Sequence, residues 1–478
     1  MNDPSQDTIV APATAAGAAG LAVVRLSGPD AVAIAARLFR GADLSASKTH
    51  HAHHGWIVDA TGERLDEVLA LVLRAPHGYT GEDTVEFSCH GSPQVVDEIV
   101  AAALAAGARF AGPGEFTRRA FLNGKLDLCQ AEAVADLIAA HGRAARRAAL
   151  GQLQGRLSTR LREVRGVLLE LLAEVEASVD FVEEGIEFFD RQRAPHKVAD
   201  AAARLDALLA TAADGQLLRS GIRVSLTGAP NVGKSSLFNR LLEEDRSIVT
   251  EHPGTTRDVV RETVRAGDLA FVFEDTAGLR DGASDPAEQL GIERSRRSHA
   301  QADIVLHVVD ASRTLEPQET AWLAALDPTR ALAVVNKIDL LAQPARTLEG
   351  AAAPGALLAS LANGGSERLP IGLPCVAVSA RTGEGIDRLL AALVHFGRAR
   401  RGDLVGDEQI AIAQRHREAL LRARAALVEL ESDAQSGEPA EILALSLRAA
   451  VAAIDEISGE GVTEEILERI FARFCIGK

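Results

Sequence analysis

Gly228-Ala-Pro-Asn-Val-Gly-Lys-Ser235 fits the pattern G-x-x-x-x-G-K-[ST], and the segments on either side of it set the fold. Before it, Ile222, Val224 and Leu226 alternate with Arg223 and Ser225 and read as a buried strand. After it, Ser236-Leu-Phe-Asn-Arg-Leu-Leu242 reads as a helix with Leu237 and Leu241 on one face. Strand, glycine loop and helix N-terminus in that order aim backbone N–H groups and the positive end of a helix dipole at one spot, which makes an anion site. Lys234 would reach the β- and γ-phosphates, and the Ser235 hydroxyl would sit on Mg²⁺. The octapeptide alone also occurs as a chance glycine-rich turn, a reading that the downstream motifs remove.

Leu269-Ala-Phe-Val-Phe-Glu274 reads as a second strand and ends in Asp275-Thr-Ala-Gly278. An aspartate there can hold Mg²⁺ through water, and the Gly278 amide can face a γ-phosphate, with Thr276 and Ala277 in the same turn. Ile304-Val-Leu-His-Val-Val309 and Ala331-Leu-Ala-Val-Val335 are further strand candidates, the second ending in Asn336-Lys-Ile-Asp339. A carboxylate such as Asp339 accepts two hydrogen bonds from the N1–H and N2–H₂ edge of guanine, which adenine does not offer. The wrong base leaves that carboxylate unpaired, so discrimination is steep. Pro374-Cys-Val-Ala-Val378 leads into Ser379-Ala-Arg381, where a backbone amide can meet guanine O6. In this order, each at a strand end, the motifs specify GTP rather than ATP. The nucleotide-site candidates are therefore Asn231, Val232, Gly233, Lys234, Ser235 and Ser236 in the loop, and Asn336, Lys337, Asp339, Ser379, Ala380 and Arg381 around the base.

Thr250-Glu-His-Pro-Gly-Thr-Thr-Arg-Asp258 lies where a GTPase keeps its first switch. Thr250, Glu251, His252, Pro253, Gly254, Thr255 and Thr256 join the candidates, with Thr256 as the second hydroxyl on Mg²⁺. Much of this segment also reads as a polar surface loop, less easily at Gly254-Thr-Thr256. Leu279 follows Gly278, so the glutamine that orients water in many GTPases is missing. Hydrolysis must recruit something else.

The chain has 478 residues, enough for roughly two to four domains. Its net charge of −16 argues against long-range attraction to nucleic acid, so an RNA substrate would need a partner or a local patch to supply positive field. No long uncharged apolar run suggests a membrane span, and Met1-Asn-Asp-Pro-Ser-Gln-Asp7 lacks the features of a signal peptide. Cys89, Cys129, Cys375 and Cys475 are scattered without metal-ligand spacing, as in a cytoplasmic protein with free thiols. His50-His-Ala-His-His54 has the composition of a metal tract but reads better as an exposed strand entry before Trp56-Ile-Val58.

Short β-like runs such as Ala22-Val-Val-Arg-Leu26 and Val68-Leu-Ala-Leu-Val-Leu73 mark an α+β region over 1–123. From 124 to 216 the chain is rich in Ala, Leu, Glu and Arg, with Leu161, Val164, Leu168 and Leu172 as a helical face, and the texture returns over 384–478. The nucleotide-binding region, 217–383, reads as an insertion into one helical bundle. Gln343 to Pro374, rich in Ala, Gly and Pro, reads as an exposed loop or a partly disordered insert. The expected fold class is multidomain α/β: a mostly parallel P-loop domain inserted into an all-α domain and preceded by an α+β domain.

The chain ends Phe474-Cys-Ile-Gly-Lys478, and this tail resembles the C-terminal signature of the MnmE (TrmE) family of tRNA-modifying GTPases, within the TrmE-Era-EngA-like group. Asp7-Thr-Ile-Val-Ala11, Arg25-Leu-Ser-Gly28, Tyr79-Thr-Gly-Glu-Asp83, Gly112-Pro-Gly-Glu-Phe116, Arg119-Ala-Phe-Leu-Asn123, Lys125-Leu-Asp-Leu128 and Gln130-Ala-Glu-Ala-Val-Ala-Asp-Leu-Ile138 are similar to that family's N-terminal landmarks. The resemblance implies an N-terminal domain that dimerises and holds a tetrahydrofolate derivative (5-formyl- or methylene-tetrahydrofolate), with Arg25, Glu86, Lys125 and Lys478 as folate contacts. It implies a K⁺-dependent GTPase that works with an FAD protein, MnmG, on tRNA, adding a carboxymethylaminomethyl or aminomethyl group to C5 of the wobble uridine. A carboxylate such as Glu86 suits a pterin edge, and cations such as Arg25 or Lys125 suit a glutamate tail. By spacing alone these three are ordinary surface charges.

Cys475 carries two readings, a nucleophile towards C6 of uridine or a tail residue beside the pocket. The resemblance also answers the missing glutamine. It implies K⁺ held by Asn231 of the loop with Thr250, His252 and Thr255, in place of an arginine finger, and Glu288 orienting water. Asn231 by itself reads as a turn former. Local departures are an extra residue between Arg280 and Glu288, the long insert before Pro374 and the His252 side chain. An alternative function is an Era-like ribosome-assembly or signalling factor that catalyses only GTP hydrolysis. Such a factor would carry a basic RNA-binding appendage or a second GTPase domain.

Overall fold

The computed structural model describes residues 7–140, 142–180, 194–211, 221–244, 262–273, 302–341, 373–400, 410 and 412–478. These residues form two compact units. One takes the described parts of Met1–Ala135, Gln152–Ala207 and Arg415–Lys478, and the other those of Asp136–Gly151 and Leu208–Gln414.

The first unit opens on a seven-stranded sheet whose strands lie in the order Phe39–Arg40, His51–Val58, Arg64–Leu73, Thr84–Gly91, Ala19–Ser27, Ile9–Pro12 and Arg109–Phe110. Strand side chains alternate between faces, so period-two apolar sets select one face for burial. Ala22, Val24 and Leu26 form one such set, Val68, Ala70 and Val72 another, and Val85, Phe87 and Cys89 a third. They pack against Val32, Ile34 and Ala35 of helix Ala31–Leu38 and Ile99 and Ala103 of helix Pro93–Ala105. The strand read at Ala22–Leu26 and the one read at Val68–Leu73 are both present, and exposed histidines open the strand His51–Val58. Register places Arg25 directly opposite Glu86.

The helical part of the same unit is built on Arg156–Asp180, which packs against Ala440–Ser458. Its buried stripe is Leu157, Leu161, Val164, Leu168, Leu171 and Val175. The expected face took Leu172 where the helix uses Leu171. Steps that alternate between three and four residues keep a stripe in line, whereas Leu172 falls on the flank and is only half-buried. Arg165 and Asp455 form an ion pair between the same two helices.

The second unit holds a six-stranded sheet in the order Cys375–Ala377, Ala331–Asn336, Ile304–Asp310, Ile222–Thr227, Leu269–Phe273 and Glu262–Ala266. The strands pair parallel, except that Glu262–Ala266 runs antiparallel at one edge. Every residue of Ile304–Asp310 and Ala331–Asn336 is buried, and apart from His307 and the terminal Asp310 and Asn336 the residues are apolar, as a central parallel strand needs. Leu237, Phe238 and Leu241 of helix Lys234–Glu244 and Leu389 and Leu393 of helix Ile386–Arg400 complete this core. The fold class is multidomain α/β, as expected. Parallel strands end on one rim, and Thr227, Asp310, Asn336 and Ala377 are the residues at those ends. In open α/β sheets this rim is where ligands bind. Among the described residues no helix is long and apolar enough to cross a membrane.

Candidate functional site

The loop between Thr227 and Lys234 turns through backbone conformations that restrict its composition. Gly233 has φ +94°, and a Cβ there would stand 2.4 Å from Asn336 Nδ2, so a larger residue would push that side chain away. Asn231 adopts φ +63°, a left-handed turn that asparagine tolerates. Lys234 Nζ donates to the Gly228 carbonyl at 2.9 Å and the Ala229 carbonyl at 2.8 Å, which arches the ammonium over the loop. Burial pushes its pKa below the usual lysine range. Ser235 and Ser236 stand in helix Lys234–Glu244, whose first turn carries no acidic residue to repel an anion.

Asn336 ties this loop to the segment at Ala380. Its Nδ2 donates to the Val232 carbonyl at 2.9 Å, and its Oδ1 accepts from the Ala380 amide at 3.0 Å. Lys337, at φ +65°, sends Nζ to the Asn231 carbonyl at 2.8 Å and to Asp310 Oδ2 at 2.6 Å. Asp339 accepts from Ser379 Oγ at 2.6 Å and pairs with Arg381 Nε at 3.1 Å. Arg240, on the helix after the loop, donates to the Ala380 and Arg381 carbonyls at 3.2 and 2.9 Å. Side-chain bonds from strand ends thus link Asn231 to Lys337 and Val232 to Asn336, Asn336 in turn to Ala380, and Asp339 to Ser379 and Arg381, while Lys234 bonds carbonyls of its own loop. Such a rim can hold phosphates at one end and read a planar base edge at the other.

Asp310 and Arg240 were missed by sequence reasoning. Asp310 ends an apolar run in the sequence, but its register opposite Asn336 on the next strand, which gives it a role, is seen only in the structure. Arg240 had no signal, because its partners are carbonyls far along the chain. Thr250 to Thr256, Asp275 to Gly278, Leu279 and Glu288 lie outside the described residues.

A second cluster forms in the other unit. Arg25 Nε bonds Glu86 Oε1 at 2.7 Å, and its guanidinium lies 5.3 Å from the Tyr79 ring centre and 5.5 Å from that of Phe116. Chain from the far end of the sequence packs here. The Gly114 amide donates to the Cys475 carbonyl at 3.3 Å and the Phe116 amide to the Lys478 carbonyl at 3.2 Å, with a bridge between Pro113 and Ile476. At Gly477, φ is +94° and a Cβ would stand 1.9 Å from the Pro12 carbonyl oxygen, so only glycine passes. The half-buried Lys478 ammonium titrates below the usual range, first through burial and then through repulsion by Arg25, with Glu86 and Cys475 opposing. Arg25, Glu86 and Lys478 therefore share one electrostatic neighbourhood. Lys125 instead bonds the Pro76 carbonyl at 3.0 Å. Cys475 is exposed. Tyr79 and Phe116, which support Arg25, were visible in the sequence only as members of motifs.

Two family descriptions match the chain: "GTP-binding protein TrmE N-terminus" over residues 8–125 and "MnmE helical domain" over residues 128–475. The chain is 45% identical over 477 residues to the tRNA modification GTPase MnmE of Symbiobacterium thermophilum, covering 99% of this chain and 100% of that protein. It is 43% identical to the protein of the same name from Roseiflexus castenholzii and 42% to that from Geobacter metallireducens, each over 99% of both chains.

Proposed function

The chain belongs to the MnmE family of tRNA modification GTPases, and from that premise we propose that it hydrolyses GTP in the service of tRNA modification. The observation that carries the nucleotide half is Asn336, which bonds at once to the phosphate loop at Val232 and to the base-reading loop at Ala380. We read 217–383 as the GTPase domain, 1–123 as a folate-binding and dimerising domain, and 124–216 with 384–478 as the helical domain, although helix Ile386–Arg400 of that last stretch packs into the nucleotide-binding core. The reaction is addition of a carboxymethylaminomethyl or aminomethyl group to C5 of wobble uridine in certain tRNAs, with MnmG as partner, in the cytoplasm. An Era-like assembly factor has less support, because family similarity runs through 8–125 and 128–475 and not through a nucleotide domain alone.

The residues suit the ligands this reading requires. Ser235 supplies a hard hydroxyl oxygen in the first helical turn, which fits Mg²⁺, and Asn231 an exposed amide oxygen, which fits K⁺. Thr256 would share the Mg²⁺, and Thr250, His252 and Thr255 the K⁺. When bound, the two cations would supply positive charge against the phosphates, and a tetrahydrofolate derivative the one-carbon unit. The chain's own contribution is positional. Lys234 meets phosphate oxygens from an ammonium already partly desolvated, which strengthens its pull. Asp339 selects guanine, and Glu288 would orient water where Leu279 stands in place of glutamine. Arg25, Glu86, Lys125 and Lys478 would hold a folate through complementary charges, with Arg25 lying over the Tyr79 and Phe116 rings. Cys475 is exposed beside them and keeps both of its readings, nucleophile or bystander.

Mass spectrometry of wobble nucleosides from a strain deleted for this chain tests the proposal. Uridine unmodified at C5, restored by the intact gene, is the expected result; unchanged nucleosides would end the tRNA reading while leaving GTP hydrolysis to be measured directly.

A further inference from the structure

Two residues other than glycine in this rim hold left-handed backbone, Asn231 at φ +63° and Lys337 at φ +65°, and they are bonded to each other. The Lys337 ammonium that makes the bond is held from behind by Asp310, a residue 5% exposed at the end of the central strand Ile304–Asp310. Asp310 is itself fixed. Its Oδ1 accepts from the Ser312 amide at 2.9 Å and Ser312 Oγ at 2.7 Å, which turns Oδ2 towards Lys337 at 2.6 Å. The Ala311 amide also donates to the Asn336 carbonyl at 2.8 Å, so the backbone beside Asp310 is anchored to the base-reading strand. Burial would raise the Asp310 pKa, but the bonds from Lys337 and Ser312 outweigh it and keep the carboxylate charged.

We propose that Asp310 is a positioning residue. By pinning Lys337 against the Asn231 carbonyl, it makes the guanine-reading segment and the lip of the phosphate loop one mechanical element. A guanine seated on Asp339 then stabilises the same backbone that presents Asn231 to a monovalent cation. Two sites that bias one element are linked energetically, in both directions. The inference rests on the reading of Asn231 as a K⁺ ligand. The clamp itself can be tested without that reading.

The test uses the full chain with Asp310→Asn, which retains size and an oxygen for Ser312 but turns an amide towards the Lys337 ammonium. The K⁺ concentration giving half-maximal GTPase rate should rise about tenfold, the expected scale for one lost charge-assisted bond. The rate at saturating K⁺ should stay within about threefold, because no group touching the phosphates has changed. Independently of turnover, amide hydrogen exchange at residues 230–233 of the GDP-bound protein should speed up about tenfold, while strand residues 224–226 keep their protection. Asp310→Glu, which restores a carboxylate, should recover most of both effects, and it decides the matter if the asparagine variant does not fold. An unchanged half-saturating K⁺ concentration overturns the coupling, as does a lower maximal rate at unchanged half-saturation. Equal wild-type rates in K⁺ and Na⁺ would sink the cation reading instead. The exchange experiment would still judge the clamp, and unaltered exchange at 230–233 would refute it.

Discussion

At Asp339 the carboxylate is shared between two donors of its own chain, and they are unequal. Ser379 Oγ, at 2.6 Å, comes from a fully buried residue, whereas the Arg381 side chain at 3.1 Å is 77% exposed. An exposed ion pair contributes little, so a guanine edge can displace Arg381 at small cost while Ser379 keeps the carboxylate aimed. Asp339→Asn should therefore lower GTP affinity by a factor on the order of 10² and raise affinity for xanthosine triphosphate, because an amide offers a donor where guanine also has one. Isothermal titration with both nucleotides measures the swap, and GTP affinity unchanged from wild type would remove Asp339 from the base site. Asp339 and Asn336 were legible because a known chemical pattern stands at the end of an apolar run. Asp310 and Arg240 were not, since their roles consist of holding other residues: a lysine on the neighbouring strand and two carbonyls of a later loop.

Elements were legible where a period is unambiguous. In the nucleotide-binding unit, the runs read at Ile222–Leu226, Leu269–Glu274, Ile304–Val309 and Ala331–Val335 are all strands, shifted by a residue at most at either end. Helix Arg156–Asp180 shows where periodicity stops deciding. Leu171 and Leu172 lie three and four residues beyond Leu168, and both steps are helical. Only the partner surface selects between them, and it takes Leu171, which is 1% exposed. Packing energy should follow that selection. Leu171→Ala should cost about 2–5 kcal/mol, whereas Leu172→Ala on the half-buried flank should cost about 1 kcal/mol or less. Urea unfolding of the two variants measures the difference, and equal costs would mean that the stripe is broader than the burial pattern.

The order of zones along the chain was read from the Ala, Leu, Glu and Arg texture, which stops and later resumes. The seating of the tail was not. Gly114 and Phe116 bond to Cys475 and Lys478 across nearly the whole sequence, and nothing local in either segment announces the pairing. Its consequence is chemical, for it gathers Arg25, Glu86 and Lys478 in one unit while Lys234, Asn336 and Asp339 belong to the other. Each cluster is held by bonds within its own unit, so damage to one should leave ligand binding at the other intact, as for sites that share no partners. Arg25→Ala removes the cation and leaves Glu86 without that guanidinium and Tyr79 and Phe116 without their charge. Affinity for 5-formyltetrahydrofolate should fall at least about tenfold, a single charge-assisted contact being worth that much. GTP hydrolysis by the same variant should stay within about twofold of wild type. Fluorescence titration of the folate and a phosphate-release assay on one preparation read both quantities. Intact folate affinity would remove Arg25 from that site, and a parallel loss of GTPase rate would mean that the two chemistries are not separable at the level of ligand binding.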